Sequence, residues 1–214
     1  MASSTPDGIT RLTLVRHGRV HNPDKIFYGR LPGFALSSEG LREARCAAQA
    51  MSREPLAALY TSPLLRARQT ASAIQAYHKH LRIRTSTLLT EVYSPYEGQP
   101  TNVVNALGGD VYSGTAPPYE QPQDIIRRVQ KFVRRIRKHF AGRQVVAVTH
   151  GDVITFMLLW ANDLPAKPKY KRNLSVAGLS DRYPATASMS TLIYRTSSII
   201  ERPLIFYKRS DCSQ

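Results

Sequence analysis

Two stretches of this chain end in the same way. Leu12-Thr13-Leu14-Val15 runs into Arg16-His17-Gly18, and Val145-Val146-Ala147-Val148-Thr149 runs into His150-Gly151. Each is a short apolar run rich in β-branched residues, the pattern of a buried strand, and each delivers a histidine and then a glycine. In an open α/β sheet the carboxyl ends of adjacent strands share one crevice. Two such ends side by side place two imidazoles and a guanidinium around one small site. The ligand that suits this set is an anion, and a phosphate fits best.

The rest of the chain supplies the helices that such a sheet requires. Ser37 or Ser38 can cap a helix carrying Leu41, Ala44, Ala48 and Met51 on one face. Leu56 to Tyr60 reads as a second strand, ending at Thr61-Ser62-Pro63, where the proline suits the first turn of a helix that runs to about Lys79. Arg82 to Leu89 has the pattern of a third strand. Asp124 to Phe140 is the clearest helix: Ile125, Ile126, Val129, Phe132, Val133, Ile136 and Phe140 form one stripe, and Arg127, Arg128, Lys131, Arg134, Arg135 and Lys138 lie opposite. Gly142 stands where that helix should stop. A helix from about Asp152 to Trp160, a basic loop with Lys167, Lys169, Lys171 and Arg172, and strands at Ser190 to Arg195 and Leu204 to Tyr207 complete the pattern. Strands alternating with helices predict an α/β sandwich. Between Val92 and Gln123 the rhythm breaks, with one short helix predicted at Thr101 to Leu107. Tyr93, Tyr96, Tyr112 and Tyr119 in this stretch argue for an ordered lid rather than disorder.

A chain of 214 residues suffices for one domain with a full core, and no linker divides it. The net charge of +15 is the one unusual bulk property. It is compatible with nucleic acid, anionic membrane surfaces or anionic small substrates, and equally with an arginine-rich surface. Cys46 and Cys212 form no disulfide framework and have no metal-ligand spacing, which makes a reducing cytoplasm the default. Met1 to Thr10 lacks the charged start and apolar stretch of a signal peptide, and Val153 to Ala161, the longest apolar run, is too short to span a bilayer.

Among single residues, Arg16 offers a rigid donor fork suited to phosphate. His17 can act as a neutral nucleophile near pH 7, and Gly18 lets the backbone approach a ligand. A strand-end histidine standing alone is more often a structural hydrogen-bonder. His17 and His21 are four apart, a spacing that shares a face only on a helix; Pro23 and the preceding strand argue against a helix and so against a metal pair there. Arg66 falls in the first turn of its helix, where unpaired backbone N–H groups favour an anion, while Arg68 points elsewhere.

Three segments together resemble the histidine phosphatase superfamily, in its phosphoglycerate-mutase-like branch 1. They are Leu14-Val15-Arg16-His17-Gly18, Ser62-Pro63-Leu64-Leu65-Arg66-Ala67-Arg68-Gln69-Thr70-Ala71, and Val148-Thr149-His150-Gly151. Their order and spacing cover about residues 11 to 160. Tyr28-Gly29-Arg30-Leu31-Pro32-Gly33 with Leu36, Ser37 and Gly40 resembles the family's loop into its first helix. The resemblance implies a three-layer α/β/α sandwich with a mixed, mostly parallel sheet. It implies that His17 is the nucleophile that becomes a phosphohistidine. Arg16, Arg66 and His150 would bind the phosphoryl oxygens, with Asn22, Gly29 and Gly151 also contacting substrate or phosphate. The proton donor would be Glu91, in Leu88-Leu89-Thr90-Glu91; Glu97, in Tyr96-Glu97-Gly98, is the rival. Asn22 also has a purely structural reading, as a turn residue before Pro23.

The expected activity is phosphomonoester hydrolysis without metal or other cofactor. Guanidiniums and an imidazole can stabilise the charge spread over the phosphoryl oxygens. The partner is a phosphorylated small molecule; no membrane partner is expected, and the basic helix lacks the interleaved aromatics of a base-stacking platform. Arg19 stands where many members of the family have glutamate, and the large insertions of cofactor-dependent phosphoglycerate mutases are missing. Two alternatives remain: a mutase-type phosphotransferase, and a non-catalytic binder of phosphoanions or nucleic acid on the same fold.

Overall fold

The computed structural model describes residues 8–196, 198 and 201–210. Its six strands form one sheet in the order β3-β2-β4-β1-β5-β6. β1 (Thr10–Arg16) lies parallel to β4 (Gln144–Thr149), which lies parallel to β2 (Leu56–Thr61), which lies parallel to β3 (Ile83–Thr85). β5 (Met189–Tyr194) and β6 (Leu204–Lys208) close the other edge antiparallel. The sheet is therefore mixed and mostly parallel, as expected.

Both faces are covered, and the strands alternate accordingly. Leu12, Leu14, Val145 and Ala147 pack with α4 (Pro122–His139) and α5 (Gly151–Ala161). Val15, Val146 and Val148 point the other way, toward α1 (Ser38–Ala50) and α2 (Leu65–Tyr77). Ser37 is the residue that caps α1, its hydroxyl accepting from Gly40 N at 3.1 Å. α4 buries six of the seven residues of the predicted stripe, and Phe140 is half-buried just past its end.

Three local expectations need correction. The third strand stops at Thr85, because Ser86 N turns to Thr61 O and residues Thr87–Leu89 wind into a single 3₁₀ turn. α4 begins two residues early, at Pro122, since Gln121 and Asp124 form a reciprocal capping box and proline suits the first turn. Cys46, on α1, is not a free thiol, which removes the argument for a reducing compartment; Cys212 lies outside the described residues.

Residues 92–123 carry α3 (Thr101–Ala106) and are tied to the body of the protein. Tyr112 is buried against Phe156, the Tyr93 and Tyr119 rings are 5.2 Å apart, and Ile26 bridges to Pro100. Among the described residues, no helix is long and apolar enough to cross a membrane.

Candidate active site

The sheet itself aligns the site. β1 and β4 pair with Arg16 opposite Thr149, so the next residue of each strand, His17 and His150, emerges at the same level. His17 N donates to Thr149 O at 3.0 Å, and Ser62 N donates to Val148 O at 2.9 Å on the other side of β4. Three adjacent parallel strands thus deliver His17, His150 and Ser62 to one crevice, where the geometry of an open sheet puts a ligand.

His17 is buried, and its hydrogen bonds fix its tautomer. Nδ1 lies 2.8 Å from the carbonyl oxygen of Gly18, which can only accept, so Nδ1 carries the proton. Nε2 is then a lone pair, and it receives Arg66 Nε at 3.2 Å. Desolvation, reinforced by the charges of Arg66 and Arg16, holds the imidazole well below its ordinary 6.5. A neutral ring with Nε2 unprotonated is the state a nucleophile needs. Gly18 is required because its backbone lies against Gly40 O and its N donates to Thr70 Oγ1 at 3.2 Å; a Cβ there would collide with the Gly40 carbonyl.

Arg66, in the first turn of α2, is only 1% exposed, so its charge depends on what surrounds it. Besides His17 it reaches Gly29 O at 2.7 Å and His150 Nδ1 at 3.4 Å, and its guanidinium lies 4.7 Å from the centre of the Tyr28 ring. His150 is fully buried, bonded through Nε2 to Ser62 Oγ at 2.7 Å. Burial first, then Arg66 and His17, pushes its pKa well below 6.5. A phosphate dianion beside it would reverse the electrostatic part of that shift.

Arg16 comes from the end of β1. Its Nη1 donates to Pro184 O at 2.6 Å and its guanidinium rests 5.0 Å from the Tyr183 ring centroid. Its Nε is buried with no hydrogen-bond partner among the described residues, an uncommon state for a charged donor.

The two glutamates separate clearly. Glu91 lines the cavity beside His17, and its Oε2 is 4.0 Å from His150 Nδ1. Burial, then the negative charge of Asp152, raises it to about 7, against a bond from Val92 N that lowers it. Glu97 instead accepts from Arg30 N at 2.7 Å and packs under Gly29. Gly29 has φ +36, and a Cβ on it would lie 2.5 Å from the Glu97 side chain.

The Glu91 backbone is clamped from two sides. Arg30 Nε donates to Glu91 O at 2.7 Å and Arg128 Nη2 at 3.4 Å, while Arg128 Nη1 holds Leu88 O at 2.7 Å. Glu120 pairs with both guanidiniums. The helical period placed Arg128 on the solvent face of α4; the structure folds it inward as part of this clamp.

Asn22 is not brought to the cavity. Its side chain closes a local loop, Nδ2 donating to Ile26 O at 2.8 Å and Oδ1 accepting from Ile26 N at 3.2 Å. Its turn chemistry is what the structure displays, although Ile26 itself lines the cavity. Gly151 opens α5 directly behind His150 and abuts the Tyr183 hydroxyl.

The cavity encloses about 500 Å³ and is lined by Arg16, His17, Tyr28, Gly29, Glu91 and Asp152, with Lys171, Arg172, Arg182 and Tyr183 on the same wall system. Sequence reading missed Asp152, Tyr183, Arg182 and Ser62. Asp152 accepts from Tyr112 at 2.5 Å and Tyr183 at 2.6 Å, and pairs with Lys171 at 2.8 Å. Its one signal was its place directly after His150-Gly151; Tyr183 and Arg182 had none, because a distant loop supplies them. Among the described residues no group of three His, Cys, Asp or Glu could hold a metal ion.

The profile of the histidine phosphatase superfamily (branch 1) matches residues 12–183. An uncharacterized protein of Mycobacterium tuberculosis, Rv0525, is 36% identical over 148 residues, 66% of this chain and 73% of that protein. Phosphoserine phosphatase 1 of Hydrogenobacter thermophilus is 30% identical over 152 residues, 66% of this chain and 71% of that protein. A mycobacterial glucosyl-3-phosphoglycerate phosphatase superposes with a TM-score of 0.74 over 95% of this chain and 100% of its own, at 22% identity, a likeness of fold.

Proposed function

The chain belongs to the histidine phosphatase superfamily, branch 1, and on that premise we propose that it hydrolyses phosphomonoesters of small molecules through a phosphohistidine on His17. The observation that carries this reading is the state of His17: Nδ1 spent on Gly18 O, and Nε2 unprotonated beside the Arg66 guanidinium in a cavity that also holds Glu91.

In this mechanism the Nε2 lone pair attacks phosphorus while the bond to the leaving oxygen breaks. Arg16, Arg66 and His150 hold the phosphoryl oxygens, and positioning plus charge stabilisation provides most of the rate. Glu91, raised to about 7, gives its proton to the departing alkoxide. As carboxylate it then takes a proton from the water that attacks phosphorus, and cleavage of the P–N bond releases phosphate and restores neutral His17. The guanidiniums of Arg16 and Arg66 supply the positive charge, so no metal is assigned a role. Gly29 and Gly151 act by letting backbone and neighbours close on the phosphate, and Asn22 acts through the Ile26 loop. We assign residues 92–123 to the lid of a single domain, selecting the leaving group.

The name of a relative at 30% identity, phosphoserine phosphatase 1, supports phosphatase chemistry over mutase chemistry. The test is hydrolysis of p-nitrophenyl phosphate in excess EDTA. Turnover in the wild type that falls by about a thousandfold or more in His17→Ala is expected. Equal turnover in both proteins would overturn the mechanism.

A further inference from the structure

We propose that the substrate carries a second acidic group besides its phosphomonoester, and that Arg172 and Arg182 bind it. The proposal rests on the phosphatase reading above and extends it to the class of substrate.

The cavity is far larger than a phosphate needs; about 300–1,000 Å³ is the range that encloses ligands of drug size. Ile26, Phe27, Val92 and Val104 give it apolar walls fit for a carbon skeleton. Arg172 and Arg182 also line it, and among the described residues neither has an ion-pair partner. Arg16 and Arg66 also lack an ion pair among the described residues, but the proposed mechanism assigns them to the phosphoryl group; the other nearby cations are paired. Lys171, the neighbour of Arg172, is paired with Asp152 at 2.8 Å, and Arg30 and Arg128 share the single negative charge of Glu120.

Arg172 is nevertheless held in place. Its Nη2 donates to Asn105 Oδ1 at 3.1 Å, and its Nε lies 2.5 Å from where a Cβ on Gly109 would be. Gly109 has φ +83, so glycine serves both the backbone and the guanidinium packed on it. Both partners are uncharged, and the guanidinium keeps its full charge. Arg182 is anchored by its backbone, Leu174 N donating to its carbonyl at 3.1 Å, and it precedes Tyr183, which is bonded to Asp152. Two guanidiniums without a counter-ion at one concave site repel each other and raise the local concentration of anions. The phosphoryl group already has Arg16 and Arg66. What remains uncompensated suits a carboxylate or a second phosphate on the same skeleton, either of which accepts the guanidinium fork.

Three probes decide the matter: glycerol 3-phosphate, 3-phosphoglycerate, which replaces its CH₂OH by a carboxylate, and 1,3-propanediol bisphosphate. Calorimetric affinities are measured on His17→Ala, and kcat/KM on the protein with His17 intact. We expect at least about tenfold tighter binding of one or both doubly acidic probes, the usual worth of a charged hydrogen bond. Which of the two is favoured tells carboxylate from phosphate. The preference should fall to about threefold or less in Arg172→Gln/Arg182→Gln, and persist in Arg134→Gln/Arg135→Gln, which removes the same net charge from the exposed face of α4. Equal affinity for all three probes, or a preference that survives the first double variant, overturns the proposal. Preferential binding without hydrolysis of any phosphomonoester would sustain the subsite and overturn the phosphatase reading; hydrolysis without preference would do the reverse.

Discussion

The hydroxyl of Tyr183 occupies the space that a side chain on Gly151 would need. The same hydroxyl donates to Asp152 Oδ1 at 2.6 Å, and the ring carries the Arg16 guanidinium on its face. Glycine after His150 is therefore a condition for seating Arg16. Gly151→Ala should displace Tyr183, cost about 1–3 kcal/mol as an overpacked site, and raise KM for every phosphomonoester. Denaturant midpoints and steady-state kinetics check both effects; an unchanged KM would show that Tyr183 does not position Arg16.

Glu91 predicts a pH profile. In the proposed mechanism its acid form is the proton donor, and with a pKa raised to about 7 that form is lost as pH rises through neutrality. The rate with an alkyl phosphate should fall above about pH 7. The rate with p-nitrophenyl phosphate, whose leaving group needs little protonation, should fall far less. Glu91→Gln should lower alkyl phosphate turnover by about 10²–10⁴-fold and flatten the alkaline limb. A profile indifferent to the leaving group would move the donor role elsewhere.

The Arg128 clamp predicts an effect from a helix that makes no contact with phosphate. Arg128→Gln removes bonds to Leu88 O and Glu91 O and leaves Glu120 with Arg30 and the Tyr93 backbone N–H. Both charged partners are largely shielded, 13% and 17% exposed. The variant should lose about 1–3 kcal/mol of stability and lower kcat more for alkyl than for aryl phosphates, since it moves the acid and not the nucleophile. A uniform loss on both substrates would mean simple structural damage.

His17 and His150 predict how stability follows acidity. Both are depressed in the fold below their ordinary 6.5, chiefly by burial. Their unfolded forms bind protons first as pH falls below about 6.5, so stability declines toward acid. Glu91 acts oppositely: raised in the fold, it favours the native state at low pH and disfavours it as pH climbs from about 4.5 to about 7. Chemical denaturation from pH 5 to 8 should show a shallower acid decline in His150→Gln than in the wild type. Equal slopes would indicate that His150 keeps its ordinary affinity for protons.

Much of this fold is legible because its decisive signals are local. β1 and β4 are continuous apolar runs, and α4 carries an uninterrupted stripe, so periodicity alone locates them. The histidines follow directly from the strand ends. Other features depend on contacts between distant residues. Arg128 lies at a solvent-facing period position yet bends to carbonyls 40 and 37 residues away in sequence. Tyr183 and Arg182 come from a loop with no periodicity. Asn22 is ambiguous in sequence because the same amide suits a turn or a ligand, and in the structure the turn uses it. The third strand reads too long because Thr87, Leu88 and Leu89 suit a strand by composition although their backbone has already turned away.

The two imidazole centroids are 5.1 Å apart, close to the roughly 4.8 Å spacing of neighbouring strands. The sheet thus acts as a ruler for the site. Its hydrogen-bond lattice dictates where His17 and His150 stand. The loops that meet the rest of the substrate hang from other points of the frame. Such a division lets the outer walls be rewritten for new leaving groups while the distance between the two rings stays constant.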